Sequence, residues 1–226
     1  MKHYDSIPKI ADDGNLFGED VWVFNKLDGQ NFCVKYSPKQ KDFVMFGSRT
    51  QLVDETSDQF GDTVRFFNGS PMREELLRII KENSSKGGLF KGVEEITFFF
   101  EWYGDNSFAG RHVEGDTMHL ALIDVFLKKK GYIEPKTFVE LFGNNPLIEL
   151  PEVIYRGKLT KDLVDDIWNN KVGEPDAKYP SVKEGVVCKR STQLKGQRLP
   201  KVKFKTEWWI NKLHSTYDEK QWASLE

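Results

Sequence analysis

Seven short runs that alternate apolar with polar residues, or that concentrate β-branched and aromatic side chains, limit this chain's fold more than any other feature. They cover 21–26, 31–36, 43–48, 96–102, 119–127, 185–189 and 201–205, and a period of two marks a strand with one buried face. Helical spacing is confined to three stretches. Ser70-Pro71 opens one in which Met72, Leu76, Leu77, Ile79 and Ile80 recur at helical intervals before Gly87-Gly88. The others run over 135–141, ending at Gly143, and over 160–168, capped by Thr160. Strands in runs broken by single helices, without regular βαβα alternation, predict an α+β fold of mainly antiparallel sheets flanked by helices. The 226 residues, 38% of them hydrophobic, suffice for one core. The turn-rich 143–151 and 173–180 read as surface loops, so a single domain over 1–226 is expected.

Composition narrows the function classes. Cys33 and Cys188 are too few and too far apart for a disulfide framework or a zinc site, and read as buried small hydrophobes in a reducing compartment. The opening "MKHYDSIPKI" lacks an apolar signal core, and no run approaches the ~20 apolar residues of a membrane span. A soluble, cytoplasmic monomer with no membrane partner is expected. A formal net charge of −2 and a pI near 6.2 give no global positive field, so a polyanionic partner must be held locally. Lys195, Arg198, Lys201, Lys203, Lys205 and Lys212 provide the local concentration of positive charge. No phosphate loop, HExxH or CxxC is present, which removes kinase and zinc-hydrolase readings.

At the end of the first predicted strand, "VFNKLDGQNF" sets Lys26 two residues before an Asp-Gly turn. Alone, that is an ordinary strand end running into a hairpin. Three further charges change its weight. Glu101 ends the apolar run "EEITFFFE", where an unpaired carboxylate costs several kcal/mol. Glu184 opens the apolar "EGVVCK", with Gly185 permitting close approach of a ligand or backbone. In "LPKVKFKTEWW", Lys201, Lys203 and Lys205 share one strand face while Val202 and Phe204 share the other. A lysine nucleophile, two carboxylates and a pair of strand lysines make a coherent site for attack on a triphosphate, with a carboxylate placing Mg²⁺ through water. Such an amine must lose its proton first, and neighbouring cations would favour that loss.

These residues resemble the covalent lysyl-nucleotidyltransferase superfamily of DNA ligases, RNA ligases and capping enzymes. Its motifs appear in order as "KLDG", "FFFEWYG", "LALIDVF", "EGVVCK" and "VKFK". The resemblance implies a ligase adenylation-domain fold and an enzyme that uses ATP and Mg²⁺ or Mn²⁺. It implies that Lys26 forms lysyl-AMP and passes AMP to a 5′-phosphate end, which a 3′-OH then attacks. Asp28 and Glu101 would contact the ribose or metal-bound water, Gly29 would belong to the cofactor-binding set, and Glu184 would support the metal. Lys203 and Lys205 would hold phosphates, and Ile123 and Val186 would wall the adenine. Asn31, two positions after the motif glycine, and Arg49 in "FGSRT" are similar to RNA ligases and would serve RNA phosphates. An ATP-dependent RNA ligase is therefore the leading expectation, without an appended OB or large C-terminal domain. A minimal DNA ligase, or an adenylation core needing another domain or partner, is the alternative. Trp208, Trp209 and Trp222 read either as base-stacking aromatics or as side chains pinning the last segment to the body.

Overall fold

A computed structural model describes residues 1–12, 14–193 and 198–225. All seven predicted strand runs form strands: β1 (Asp20–Lys26), β2 (Gln30–Ser37), β3 (Asp42–Ser48), β5 (Ile96–Gly104), β6 (Met118–Leu127), β9 (Gly185–Arg190) and β10 (Lys201–Lys205). Two-residue strands β4 (Leu52–Val53) and β7 (Gly131–Tyr132) and the edge strand β8 (Val153–Lys158) complete the set. The three predicted helices are α2 (Pro71–Glu82), α3 (Pro135–Phe142) and α4 (Lys161–Trp168), joined by α1 (Gly61–Gly69), α5 (Glu207–Thr216) and α6 (Glu219–Leu225). Every strand pair is antiparallel, so the fold is α+β with antiparallel sheets flanked by helices. No helix among the described residues is long and apolar enough to cross a membrane.

The chain divides into two compact units. The first (1–5, 29–106 and 112–150) holds a six-stranded sheet in the order β4-β3-β2-β5-β6-β7. Alternation along β2 and β5 buries Phe32, Val34, Phe98, Phe100 and Trp102 against Phe67, Leu76, Ile80, Phe138 and Phe142 of the helices. Each such side chain contributes roughly 1.5–3 kcal/mol by leaving water. The opposite face carries the polar members of the same strands, including Asn31 and Glu101, which are paired in register.

The second unit (6–28, 107–111 and 151–226) holds a four-stranded sheet in the order β10-β9-β1-β8. Val21, Val23, Val186, Cys188, Val202 and Phe204 form its core with Leu163 and Ile167 of α4. The alternate residues, among them Lys26, Lys203 and Lys205, therefore face the other way. A smaller cluster of Ala109, Trp209 and Leu213 seats α5. Both cysteines are free and buried; burial pushes the Cys33 thiol up to about 12 and the Cys188 thiol up as well.

Candidate active site

The second unit builds its charged centre from strand register. Lys26 of β1 and Lys205 of β10 both pair with Gly185 of β9, so one row of the sheet reads lysine, glycine, lysine. A Cβ on Gly185 would lie 2.3 Å from the Phe204 carbonyl oxygen and 2.6 Å from Lys205 Cα, and its φ is +153°. Glycine is required here by backbone approach. The preceding residue, Glu184, reaches back into the row. Lys26 Nζ donates to its Oε2 at 2.9 Å, and Lys205 Nζ lies 3.2 Å from its Oε1. Glu184 and Lys205 are buried, whereas the Lys26 side chain is 23% exposed, so the amine is the accessible member.

Lys205 has further partners. Its Nζ donates to the Leu225 carbonyl at 3.1 Å and lies 3.4 Å from the Trp209 ring centroid. Burial lowers its pKa to about 8, Glu184 opposes that, and Lys26 and Lys203 reinforce it. Trp209 is fixed in turn. Thr206 caps α5 by accepting from the Trp209 backbone N–H at 3.1 Å, and the Trp209 indole N–H donates to Asp28 Oδ2 at 3.1 Å. Asp28 also accepts from the backbone N–H groups of Ala109 and Gly110, both at 2.8 Å. Burial first, and Glu184 second, push the Asp28 carboxyl up, against these hydrogen bonds.

In the first unit, Asn31 sits opposite Glu101 and donates from Nδ2 to the Phe100 carbonyl at 3.2 Å. Its Oδ1 is buried with no hydrogen-bond partner among the described residues. Ile123 lies at a bulge, between Leu122, which pairs with Phe100, and Asp124, which pairs with Phe99. Arg49 is exposed just beyond β3. Gly29 abuts β5: a Cβ would lie 2.4 Å from the Trp102 carbonyl oxygen.

The family model for RNA ligase matches residues 19–205. This chain belongs to the RNA ligase family. Among solved structures, it resembles a Naegleria gruberi RNA ligase variant with AMP and Mn at 14% identity and a TM-score of 0.63, covering 96% of this chain and 59% of that one. The same ligase with pyrophosphate aligns at 16% identity and a TM-score of 0.57, again over 96% and 59%. A variant with ATP and Mn gives 15%, 0.56, 94% and 57%. At such identities the likeness establishes the fold, and this chain spans less than two thirds of that ligase's length. No curated protein matches the chain.

Set against the family's motifs, the structure brings Lys26, Glu184 and Lys205 together as expected, and places Lys203 one row along on the same face. Three expectations change. Val186 is fully buried in the core with α4, on the face away from Lys26; alternation puts Val187, paired with Phe24 and Lys203, on the lysine face instead. Asp28 gives both oxygens to backbone and indole donors of its own unit, and so acts as a clamp. The Lys26 amine, expected among cations, also meets the Glu184 carboxylate, and burial lowers the pKa of Lys205. Ala109, Gly110 and Thr206 were missed, and of the two readings given for Trp209 the pinning one holds. Trp209 carried the one usable signal, since a buried indole N–H needs an acceptor. Lys195 lies outside the described residues.

Proposed function

We propose that this chain is an ATP-dependent RNA ligase in which Lys26 carries AMP, and the observation behind the reading is the Glu184 carboxylate shared by Lys26 and Lys205. The neutral Lys26 amine attacks the α-phosphorus of ATP. An N–P bond forms, the P–O bond to the β-phosphate breaks, and pyrophosphate leaves. The hydrogen bond to Glu184 gives the departing amine proton a path. Lys205 and Lys203 offer positive charge to phosphate oxygens where negative charge develops. A 5′-phosphate oxygen then takes AMP from Lys26, and a 3′-OH attacks that 5′-phosphorus and expels AMP.

Among the described residues no three His, Cys, Asp or Glu side chains are grouped as a metal cage. That fits Mg²⁺ or Mn²⁺ arriving with the nucleotide, because Mg²⁺ keeps several waters and binds through one or two carboxylates plus phosphates. With both Glu184 oxygens engaged by ammonium groups, contact through water suits it, and the ion would neutralise phosphate charge. The Naegleria ligase structures with ATP, AMP, pyrophosphate and Mn support this choice of ligands. Val187 is assigned the apolar contact to adenine. Glu101, Ile123, Gly29 and Arg49 enter through the family's motifs alone. Asn31 Oδ1 is an acceptor and suits a ribose hydroxyl, to which we assign it, while the Nδ2 group, which gives one proton to the Phe100 carbonyl, keeps the phosphate role its motif implies.

With ATP labelled at the α-phosphate and a divalent metal, the protein is expected to acquire a covalent label that Lys26→Ala abolishes and Glu184→Gln slows by about 100-fold, the order seen when one preorganised electrostatic group is removed. A labelled Lys26→Ala protein would refute the assignment.

A further inference from the structure

Helix α6 has seven residues, too few to persist in water without outside contacts. Four features fix it to its own unit. Asp218 and Gln221 close a reciprocal cap at its start: the Gln221 N–H donates to Asp218 Oδ1 at 3.0 Å, and the Asp218 N–H to Gln221 Oε1 at 3.3 Å. The Trp222 ring centroid lies 4.2 Å from that of His214 on α5. Trp222 and Leu225 pack on the cluster of Ala109, Trp209 and Leu213. The fourth feature is the Leu225 carbonyl, which accepts from Lys205 Nζ at 3.1 Å.

That last contact brings the helix into the active site. The final carbonyls of a helix have no partner within it and carry partial negative charge, so a cation at that end is favourable. Lys205 is the cation α6 uses. An ammonium has three N–H groups, and Lys205 has three partners: Glu184 Oε1 at 3.2 Å, the Trp209 ring centroid at 3.4 Å and the Leu225 carbonyl. A phosphate oxygen must therefore displace one of them. Glu184 is buried and leads directly into β9, while Trp209 is buried and fixed by Thr206 and Asp28. Leu225 belongs instead to a helix whose cap residues are exposed and whose Trp222 is only half-buried. It is the partner that gives way most easily.

We propose that α6 is an autoinhibitory latch, whose terminal carbonyl occupies the Lys205 donor that a nucleotide phosphate needs. Docked, the helix holds ATP affinity down; bound ATP releases it. Its action on ATP rests on Lys205 receiving phosphate, as in the ligase reading. Coupling of this kind is reciprocal, so whatever loosens α6 strengthens ATP binding by the same factor. A helix that merely supported the site would do the opposite.

The sign of the effect is the test. In the full chain, Gln221→Ala removes half of the cap at an exposed position and should lower the KM for ATP in covalent labelling by about five-fold, as for loss of one helix cap from a mostly docked latch. Trp222→Ala should lower it at least as far. Labelling rates at saturating ATP should be unchanged in both. Hydrogen exchange supplies a readout that needs no chemistry: saturating α,β-methylene-ATP, which binds without transferring AMP, should speed exchange of the amides of 222–225 in the wild-type protein. A raised KM in both variants would overturn the latch, as would unchanged or slowed exchange at 222–225. If the wild-type protein takes no label from ATP, the ligase reading fails, while the exchange measurement still decides the latch.

Discussion

Lys205 is the residue through which pH should act on this site. Its ordinary pKa of 10.5 falls to about 8 in the fold. Between those values the folded state has released a proton that the unfolded chain still holds. Its contribution to stability therefore rises as pH climbs from about 8 towards 10.5. Over the same interval the site loses a positive charge meant for phosphate. For the adenylation half-reaction, kcat/KM should turn down on an alkaline limb near pH 8, because that ratio reports ionisations of the free enzyme. Lys205→Arg keeps its charge and should lack the limb, at a lower plateau because a guanidinium is not isosteric. Stopped-flow labelling from pH 6.5 to 9.5 measures this, and an identical limb in both proteins would exclude Lys205 as its source. The charges at Lys26, Glu184, Lys203 and Lys205 were legible in sequence because a charged residue at the end of an apolar strand has no packing purpose. Asp28 was not, since its partners lie 81 to 181 residues further on. Val186 was misread because a motif gives order but not face, and face follows from which neighbour enters the core.

Between elements, the site depends on three strands meeting at one glycine. Gly185 pairs with both Lys26 and Lys205, so an error there displaces the nucleophile and the phosphate-binding lysine together. Gly185→Ala brings a methyl to 2.3 Å from a backbone oxygen at a φ of +153°. Neither can relax without parting β9 from β10, and a cost of roughly 2–4 kcal/mol is expected from overpacking plus backbone strain. Chemical denaturation should register that loss, and labelling by ATP should fall with it even where the protein remains folded. A variant of wild-type stability and activity would mean that the strands do not close on this residue. Strands were the most legible elements, since each predicted run has one face in a core. The edge strand β8 was missed because its residues are half-buried or exposed, which removes the alternation. Helix α1 begins after Phe60 without a side-chain cap, so it carries no start signal. Helix α5 did have one in Thr206, and Trp209 pins it to the body, one of the two readings its sequence left open.

At the scale of the whole chain, a net charge of −2 cannot tell RNA from DNA, since both are polyanions and neither is drawn by a global field. Discrimination has to come from local contacts, and the 2′-hydroxyl is the group that differs. The family assignment over 19–205 makes RNA the expected strand. The unpartnered Asn31 Oδ1, a buried acceptor beside Glu101, gives that expectation an atom that could read a hydroxyl. Protein already labelled with AMP should therefore seal a nicked duplex whose 3′-OH strand is RNA and leave the matching DNA nick open by a factor of at least about ten. Leaving a buried acceptor without its donor costs about 1–3 kcal/mol, which corresponds to discrimination of that order. Asn31→Ala removes the acceptor and should narrow the gap by lowering the rate on RNA rather than raising it on DNA. Using pre-labelled protein separates this comparison from the ATP step, so a failure to seal cannot be mistaken for a failure to adenylate. Preferential sealing of DNA would move the chain's activity to the DNA ligases despite its family, and an unchanged ratio in Asn31→Ala would clear that residue of reading the sugar.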